Sequence, residues 1–272
     1  MVPNPSIQGM RTETVISTQN PKFKNLLLLQ EKSKARREQG LFVVEGRREL
    51  EHCLEAGFQV RTLFVREDLL AELESLATAA DCPVILLSPA LYAKAAYREG
   101  TEGIIAEVEC RERRLEDLAL TENPLVVVLE SVEKPGNLGA VLRSADAARA
   151  DAVIVCDPLT DLYNPNLIRA SLGGIFTVPT VAATSEETIA WLQAHGIRIL
   201  TAQLQDSSWY YDVDMTVGTA LVMGTESTGL TDQWRRAADA HIRIPMLGRL
   251  DSLNVSVSAA ILLFEAVRQR NA

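Results

Sequence analysis

Apolar and polar positions along this chain alternate between two periods, and each change of period marks an element. In the first half, Leu41–Val44, Val60–Val65, Val84–Leu87 and Ile104–Val108 read as strands. Between them, Arg47–Ala56, Asp68–Ala80 and Pro89–Ala95 read as helices. The second half alternates again, with stronger strands. Leu125–Glu130 is a continuous apolar run, the mark of a strand covered on both faces. Ala152–Asp157, Val178–Val181, Ile197–Gln203, Ala220–Met223 and Ile242–Pro245 are the further extended segments. Asn137–Arg149, Asn164–Leu172, Glu186–His195 and Asp232–Ala238 are the intervening helices. This order predicts an α/β protein whose C-terminal part is a mostly parallel sheet with helices on both faces. Ligands in such folds sit at the carboxyl ends of the strands.

The last helix stands out. It begins near Ser252 and carries Leu253, Val257, Ile261 and Phe264 on one face, with Val255, Ala259, Leu262 and Ala266 on another. That distribution predicts burial nearly all round. Its first turn nonetheless holds Ser252, Asn254 and Ser256, polar groups that need partners. Ser252 as a plain N-cap accounts for one of them.

Domain limits follow from composition. Residues 1–20 are polar, contain Pro3, Pro5 and Gly9, and are expected to be a flexible tail. A compact α/β unit is expected over residues 21–108. The charge-dense, apolar-poor segment 109–123 reads as a linker, and 124–272 as the second domain.

Composition narrows the function. With 272 residues, 47% hydrophobic, the chain suits two modest soluble domains. Its longest apolar runs are strand-sized, too short to span a membrane, and no signal-peptide pattern opens the chain. Four dispersed cysteines predict reduced thiols and a cytoplasmic location, and three dispersed histidines predict no metal site. The net charge of −9 argues against indiscriminate nucleic-acid binding. One stretch reverses it. Residues 22–48 hold Lys22, Lys24, Lys32, Lys34, Arg36, Arg37, Arg47 and Arg48 against Glu31, Glu38 and Glu45, 8 − 3 = +5. A solvated helix face and a phosphate footprint both fit that excess.

Three strand-to-helix junctions could carry chemistry. In Glu133-Lys-Pro-Gly-Asn137-Leu-Gly139, Asn137 can cap a helix and Gly139 permits close backbone approach. Arg143 follows in the second turn, either paired with Asp146 or aimed at a ligand anion. The second junction, Met223-Gly224-Thr225-Glu226-Ser-Thr-Gly229, is glycine-rich, and Glu226 there disfavours a bound triphosphate. The third is Ile244-Pro-Met246-Leu-Gly248 leading to Ser252-Leu253-Asn254. Neither GxGxxG nor GxxxxGK[ST] occurs, which weakens dinucleotide and nucleoside-triphosphate readings.

Taken in order, these junctions resemble the SpoU (TrmH-like) family of SPOUT RNA methyltransferases over about residues 124–270. Arg169-Ala-Ser171 with Phe176 and Pro179 fits the same pattern. Asn20-Pro-Lys-Phe-Lys24, Arg36–Gln39 and Phe42-Val-Val-Glu45-Gly46 are similar to the L30e-like substrate-binding domain that precedes many such enzymes. The resemblance implies a deep trefoil knot in the C-terminal domain, a homodimer, and S-adenosyl-L-methionine as cofactor. Carried over, the cofactor-binding positions are Thr201, Ala202, Gln203, Met223, Gly224, Thr225, Gly229, Ile244, Met246, Gly248 and Leu253. The implied reaction is methyl transfer to a ribose 2′-hydroxyl. Arg143 is then the key catalytic residue, as the base or as its helper, with Asn137, Glu226, Ser252 and Asn254 positioning the reactants. Lys22, Lys24, Lys32, Lys34, Arg36, Arg37 and Arg47 would hold RNA, with ribosomal RNA ranked ahead of transfer RNA. One departure is that Val132-Glu-Lys-Pro stands where relatives often have an aspartate.

Two readings from other classes compete. A non-catalytic RNA-binding or assembly factor would have lost Arg143, Asn254 or the glycines, and all are present. A metabolic enzyme with a nucleotide cofactor would carry a phosphate fingerprint, and none is found.

Overall fold

The computed structural model describes residues 11–97, 102–225 and 228–271. It divides into two compact units, one of Met1–Arg111 with Tyr163–Arg169 and one of Glu112–Leu162 with Ala170–Ala272.

The first unit contains strands β1 (Thr12–Val15), β2 (Leu41–Glu45), β3 (Val60–Arg66), β4 (Val84–Leu87) and β5 (Ile104–Glu109). Its helices are α1 (Pro21–Glu31), α2 (Ser33–Gln39), α3 (Arg47–Glu55), α4 (Leu70–Ala80) and α5 (Pro89–Ala95). The sheet order is β1-β4-β3-β5-β2, with β5 antiparallel to both its neighbours. Phe23, Leu26 and Leu29 of α1 pack with Val43, Phe64, Ile85 and Ile105 into its core. The expected tail is corrected here. Thr12–Val15 pairs in parallel with Val84–Leu87, and only Val15 of the four is buried. An edge strand with one inward apolar residue leaves almost no hydrophobic pattern. Residues 1–10 of that tail lie outside the described residues.

The second unit holds a seven-stranded, wholly parallel sheet in the order β10-β12-β9-β11-β6-β7-β8. The strands are β6 (Leu125–Glu130), β7 (Ala152–Cys156), β8 (Thr180–Ala183), β9 (Arg198–Ala202), β10 (Ser208–Trp209), β11 (Thr219–Met223) and β12 (Ala240–Arg243). The helices are α6 (Pro135–Ala147), α7 (Pro165–Ala170), α8 (Gly174–Thr177), α9 (Ser185–Ala194), α10 (Asp232–Ala237) and α11 (Val255–Arg270), α7 running from one unit into the other. Every residue of β6, β7 and β11 is buried, as the continuous apolar runs predict. The span Asn164–Leu172, expected as one helix, is shorter, and a second turn forms at Gly174–Thr177 after Gly173 adopts φ 80°. Burial pushes the Cys53 and Cys156 thiols up to about 12, so both are inert core residues near neutral pH.

Helix α11 differs from expectation in two ways. It starts at Val255 with Asn254, not Ser252, as N-cap. It is also buried on one face only. Val255, Ala259, Leu262, Leu263 and Ala266 face the core, while Val257 is 46% and Phe264 48% exposed. Apolar character fixed which residues seek cover but not what supplies it.

The far end of α11 is tied down by Arg270. Its Nε donates to Met215 O at 2.9 Å and its Nη1 to Asn123 O at 2.7 Å. Its Nη2 donates to Val217 O at 2.8 Å and Pro124 O at 3.3 Å. Burial lowers the guanidinium pKa from its ordinary value, with nearby Asp151 opposing. Arg270→Ala should strand Met215 O and Asn123 O, while Pro124 O and Val217 O keep Thr219 N and Thr219 Oγ1, and should cost about 2–3 kcal/mol of stability. Arg270→Lys, with one charge and no fork, should recover only part of it; urea denaturation measures both.

Candidate functional site

The carboxyl ends of β9, β11 and β12 open into a cleft of about 360 Å³ closed by the start of α11. Parallel strands end in register, so the three following loops meet on one side of the sheet. Ala202 ends β9 and Gln203 follows it, and after β11 come Gly224, Thr225 and Gly229, with Met223 at the strand end. Ile244 and Met246 follow β12, and Ser252 and Leu253 precede α11. These ten were expected at a site from the sequence, and the fold brings them together.

Glycine is required where the loop doubles back. A Cβ on Gly224 would sit 2.4 Å from the carbonyl carbon and oxygen of Gly229. The turn is closed by Gly229 N donating to Thr225 O at 3.0 Å, with Gly229 at φ 68°. Gln203 Nε2 donates to Gln205 O at 2.9 Å. Its Oε1 is buried and has no hydrogen-bond partner among the described residues. An orphaned acceptor beside a cleft fits a ligand that brings a donor. Apolar Met223, Leu253 and Leu262 fit the rest of an amphipathic ligand.

Beside the cleft, α6 meets the start of α11. Asn254 Nδ2 donates to Asn137 Oδ1 at 3.1 Å. Asn254 Oδ1 accepts from Ser256 N at 3.0 Å and from Ser256 Oγ at 2.6 Å. One side chain therefore caps its helix and holds a second one. Gly139 on α6 allows close packing, since a Cβ there would lie 2.5 Å from that of Ala170. Arg143 is exposed and forms no hydrogen bond or ion pair among the described residues. Asp146, the partner that would have made Arg143 structural, instead accepts from Thr177 Oγ1 at 2.6 Å. The guanidinium is thus left open to solvent.

Some expected residues fall elsewhere. Thr201 is buried within β9, its Oγ1 bound to His241 Nδ1 at 2.6 Å, and does not reach the cleft. Strand alternation turns it away from the side that Ala202 serves. Gly248 lies in an exposed loop off the cleft wall. Glu226 lies outside the described residues. The sequence reading missed Leu204, Gln205, Arg235, Arg243 and Asp251 on the wall. Arg243 was legible in principle, as the one charged residue within the apolar run His241-Ile-Arg-Ile.

The basic stretch of the first unit divides. Arg36 is corrected to a structural role: it is 3% exposed, and its Nη1 donates to Leu29 O at 2.6 Å and Gln30 O at 3.2 Å. Arg47 is held by Glu102 and by Glu72 at 3.3 Å, and Lys22 by Glu13 at 2.5 Å. Lys34 lies 3.7 Å from Glu38, and Arg37 donates to Ser33 Oγ at 2.8 Å, both exposed. Lys24 and Lys32 are exposed with no partner among the described residues.

Comparison with known proteins decides the family. Residues 124–264 match the model of the SpoU rRNA methylase family. The chain belongs to that family. Residues 20–106 match the MRM3-like substrate binding domain, in the half expected to be L30e-like. A SpoU relative from Streptomyces viridochromogenes, a 23S rRNA (uridine-2′-O) methyltransferase, is 31% identical over 97% of this chain and 96% of its own. A 23S rRNA (guanosine-2′-O) methyltransferase of Bacillus subtilis is 29% identical over 91% and 96%. The AdoMet-bound rRNA methyltransferase of Sinorhizobium meliloti superposes with a TM-score of 0.87 at 31% identity, covering 95% of this chain and 98% of that one.

Asn254 and Asn137 can be separated by mutation. Asn137→Ala should leave thermal stability within about 0.5 kcal/mol of wild type while disordering the Asn254 amide. Asn254→Ala should lose the cap as well, about 1 kcal/mol, and Asn254→Ser should restore that stability without the link. Denaturation of the three variants alongside methyl-transfer rates tests the assignment: activity should fall in all three, stability in one.

Proposed function

We propose that this protein transfers a methyl group from S-adenosyl-L-methionine to a ribose 2′-hydroxyl of ribosomal RNA. The observation that carries the reading is the three-loop cleft, with its orphaned Gln203 acceptor and glycine-closed wall, beside the Asn254–Asn137 link. Relatives matched over more than nine-tenths of this chain are rRNA 2′-O-methyltransferases by name, and S-adenosylmethionine-bound structures exist among them. Two of those names specify different bases, uridine and guanosine, so only the ribose chemistry is carried over. A structure concerned with 2′-OH methylation of tRNA aligns with only 60% of this chain, which ranks transfer RNA second. The C-terminal knot remains part of the same proposal, supported by family membership.

When bound, the cofactor supplies an electrophilic methyl on a sulfonium that leaves as a neutral thioether. The chain's tasks are then orientation and management of the hydroxyl proton. Gln203, Gly224, Met246 and Leu253 would hold the cofactor. Asn137, Ser252 and Asn254 would order the ribose side. Arg143 offers a planar guanidinium that only donates hydrogen bonds and has no acceptor for a proton. We therefore assign it contact with the target phosphate and with the charge that grows on the 2′-oxygen. Glu226 is retained as a candidate on family pattern alone. Lys24 and Lys32, with Lys34 and Arg37, would take RNA phosphates, and this work on ribosomal RNA implies a cytoplasmic location. No described helix is long and apolar enough to cross a membrane.

Arg143→Ala should lower methyl transfer into 23S rRNA by about 100-fold with S-adenosylmethionine affinity unchanged. Radiolabel counting on ribosomal and transfer RNA, with calorimetry for the cofactor, measures this. No label in either RNA and no cofactor binding by wild type would overturn the reading.

A homodimer belongs to the proposal. Val257, Ile261 and Phe264 form an apolar stripe on α11 opposite its core face, and Leu247 and Leu250 are exposed in the loop that precedes the helix. A second copy of the chain would cover it. Sedimentation should find a dimer for wild type, and Phe264→Glu should shift it to monomer with loss of activity. A monomeric wild type would remove this element.

A further inference from the structure

One buried charged residue outside the cleft lining is bonded to the loop that walls it. Glu130, the last residue of β6, is 3% exposed in the middle of the parallel sheet. Such a carboxylate survives burial only when its oxygens are satisfied. Its Oε2 accepts from Thr231 N at 2.8 Å, and its Oε1 from Thr231 Oγ1 at 2.7 Å and Ser185 Oγ at 3.2 Å. Ser185 is held in turn by Trp234 Nε1 at 3.0 Å and by Asp157 Oδ2 at 2.7 Å.

Thr231 is the informative partner. It occupies the N-cap of α10, where a threonine hydroxyl ordinarily bonds its own helix, yet no such cap bond forms. The hydroxyl is given to Glu130 instead. Thr231 directly follows Gly229 and Leu230, which wall the cleft. The other end of that loop leaves β11 at Met223, which pairs with Leu129 of β6. Both ends of the wall are therefore fastened to consecutive residues of one strand, Leu129 through the ladder and Glu130 through its side chain.

We propose that Glu130 is a positioning residue for cofactor binding: it fixes, through Thr231, the loop that forms one wall of the cleft. It touches neither the cofactor nor the reacting atoms, and it acts on affinity rather than on the chemical step. The inference rests on the reading of the cleft as the S-adenosylmethionine site.

The decisive pair is Thr231→Val against Thr231→Ser, because valine removes only the hydroxyl while serine retains it. Thr231→Val should raise the KM for S-adenosylmethionine and its calorimetric Kd about tenfold, the loss of one charge-assisted hydrogen bond, and leave kcat within about twofold. Thr231→Ser should restore both constants. Glu130→Gln should show the same split, with circular dichroism confirming the fold; if it fails to fold, the threonine pair decides alone. Unchanged cofactor affinity in Thr231→Val, or a fall in kcat with KM constant, overturns the proposal. Absence of S-adenosylmethionine binding by wild type instead overturns the reading of the cleft and is told apart by that control.

Discussion

Much of the second unit depends on where helix α11 is fixed at its two ends. Sixteen residues at about 1.5 Å each give a rod of about 24 Å, enough to run from the carboxyl rim of the strands to the opposite rim. At its C-terminal end, Arg270 gathers four carbonyls from the chain entering β6 and β11. Gln269 adds a bond from Met215 N at 2.8 Å and one to Val213 O at 3.1 Å. Pro124 O also accepts from Thr219 N at 2.8 Å and Val217 O from Thr219 Oγ1 at 2.7 Å, so a single five-donor side chain joins the segments that enter both strands. At the N-terminal end, Asn254 reaches Asn137. With both ends set, Val255, Ser258 and Leu262 arrive as the wall of the cleft without a dedicated loop to place them.

The same economy governs the polar interior. Glu130, Asp157, Ser185, Thr231 and Trp234 form one connected network at the carboxyl ends of the strands, while the opposite ends are stitched by Arg270 and by Asp151, which accepts from Leu125 N at 2.8 Å. Between them the central strands bury apolar side chains over residues 125–129, 152–156 and 220–223. Order is thus imposed at the two rims, and the rim that carries the cleft uses charge-assisted bonds, which are short and directional. A net charge of −9 does not conflict with an RNA substrate, because field strength at a phosphate is set within a Debye length of about 8–10 Å. Under the proposed function, Lys24 and Lys32, unpaired among the described residues, would matter more there than distant carboxylates.

Legibility from sequence followed burial. The run Leu125–Glu130 announced a central strand because all six residues are covered, and the structure places it there with the same limits. Edge strands were invisible: β1 buries one residue and β10 is two exposed residues long. Helix α11 was placed well but its surroundings were not, since Val257 and Phe264 are as apolar as Leu262 and nothing local says which face meets the core. Charge was the least legible property. Arg36 and Arg37 are adjacent in sequence, yet one is a buried brace and the other solvated, and only the path of α1 against α2 separates them. The cleft was read through its glycines and failed on Thr201, where alternation along β9 decides; it passed over Arg235, which no short pattern marks, and Arg243, marked only as a charge within an apolar run.

Asn254 shows how much a single residue choice can reveal. Serine, threonine, aspartate and asparagine all cap helices through a side-chain oxygen. An ionised aspartate has no donor left after capping, and a serine or threonine has one oxygen to serve both as cap and as outside contact. Asparagine alone pairs the capping oxygen with an amide that points elsewhere, and an amide at a helix start needs an acceptor. Here the oxygen goes to Ser256 and the amide to Asn137. A cap in the sequence Ser-Leu-Asn-Val-Ser that is asparagine therefore carries a requirement for a second element within hydrogen-bonding distance. The fold meets it with α6, the helix that also bears Arg143, so the residue that ends one loop of the cleft also sets the distance between the two helices on which the proposed chemistry depends.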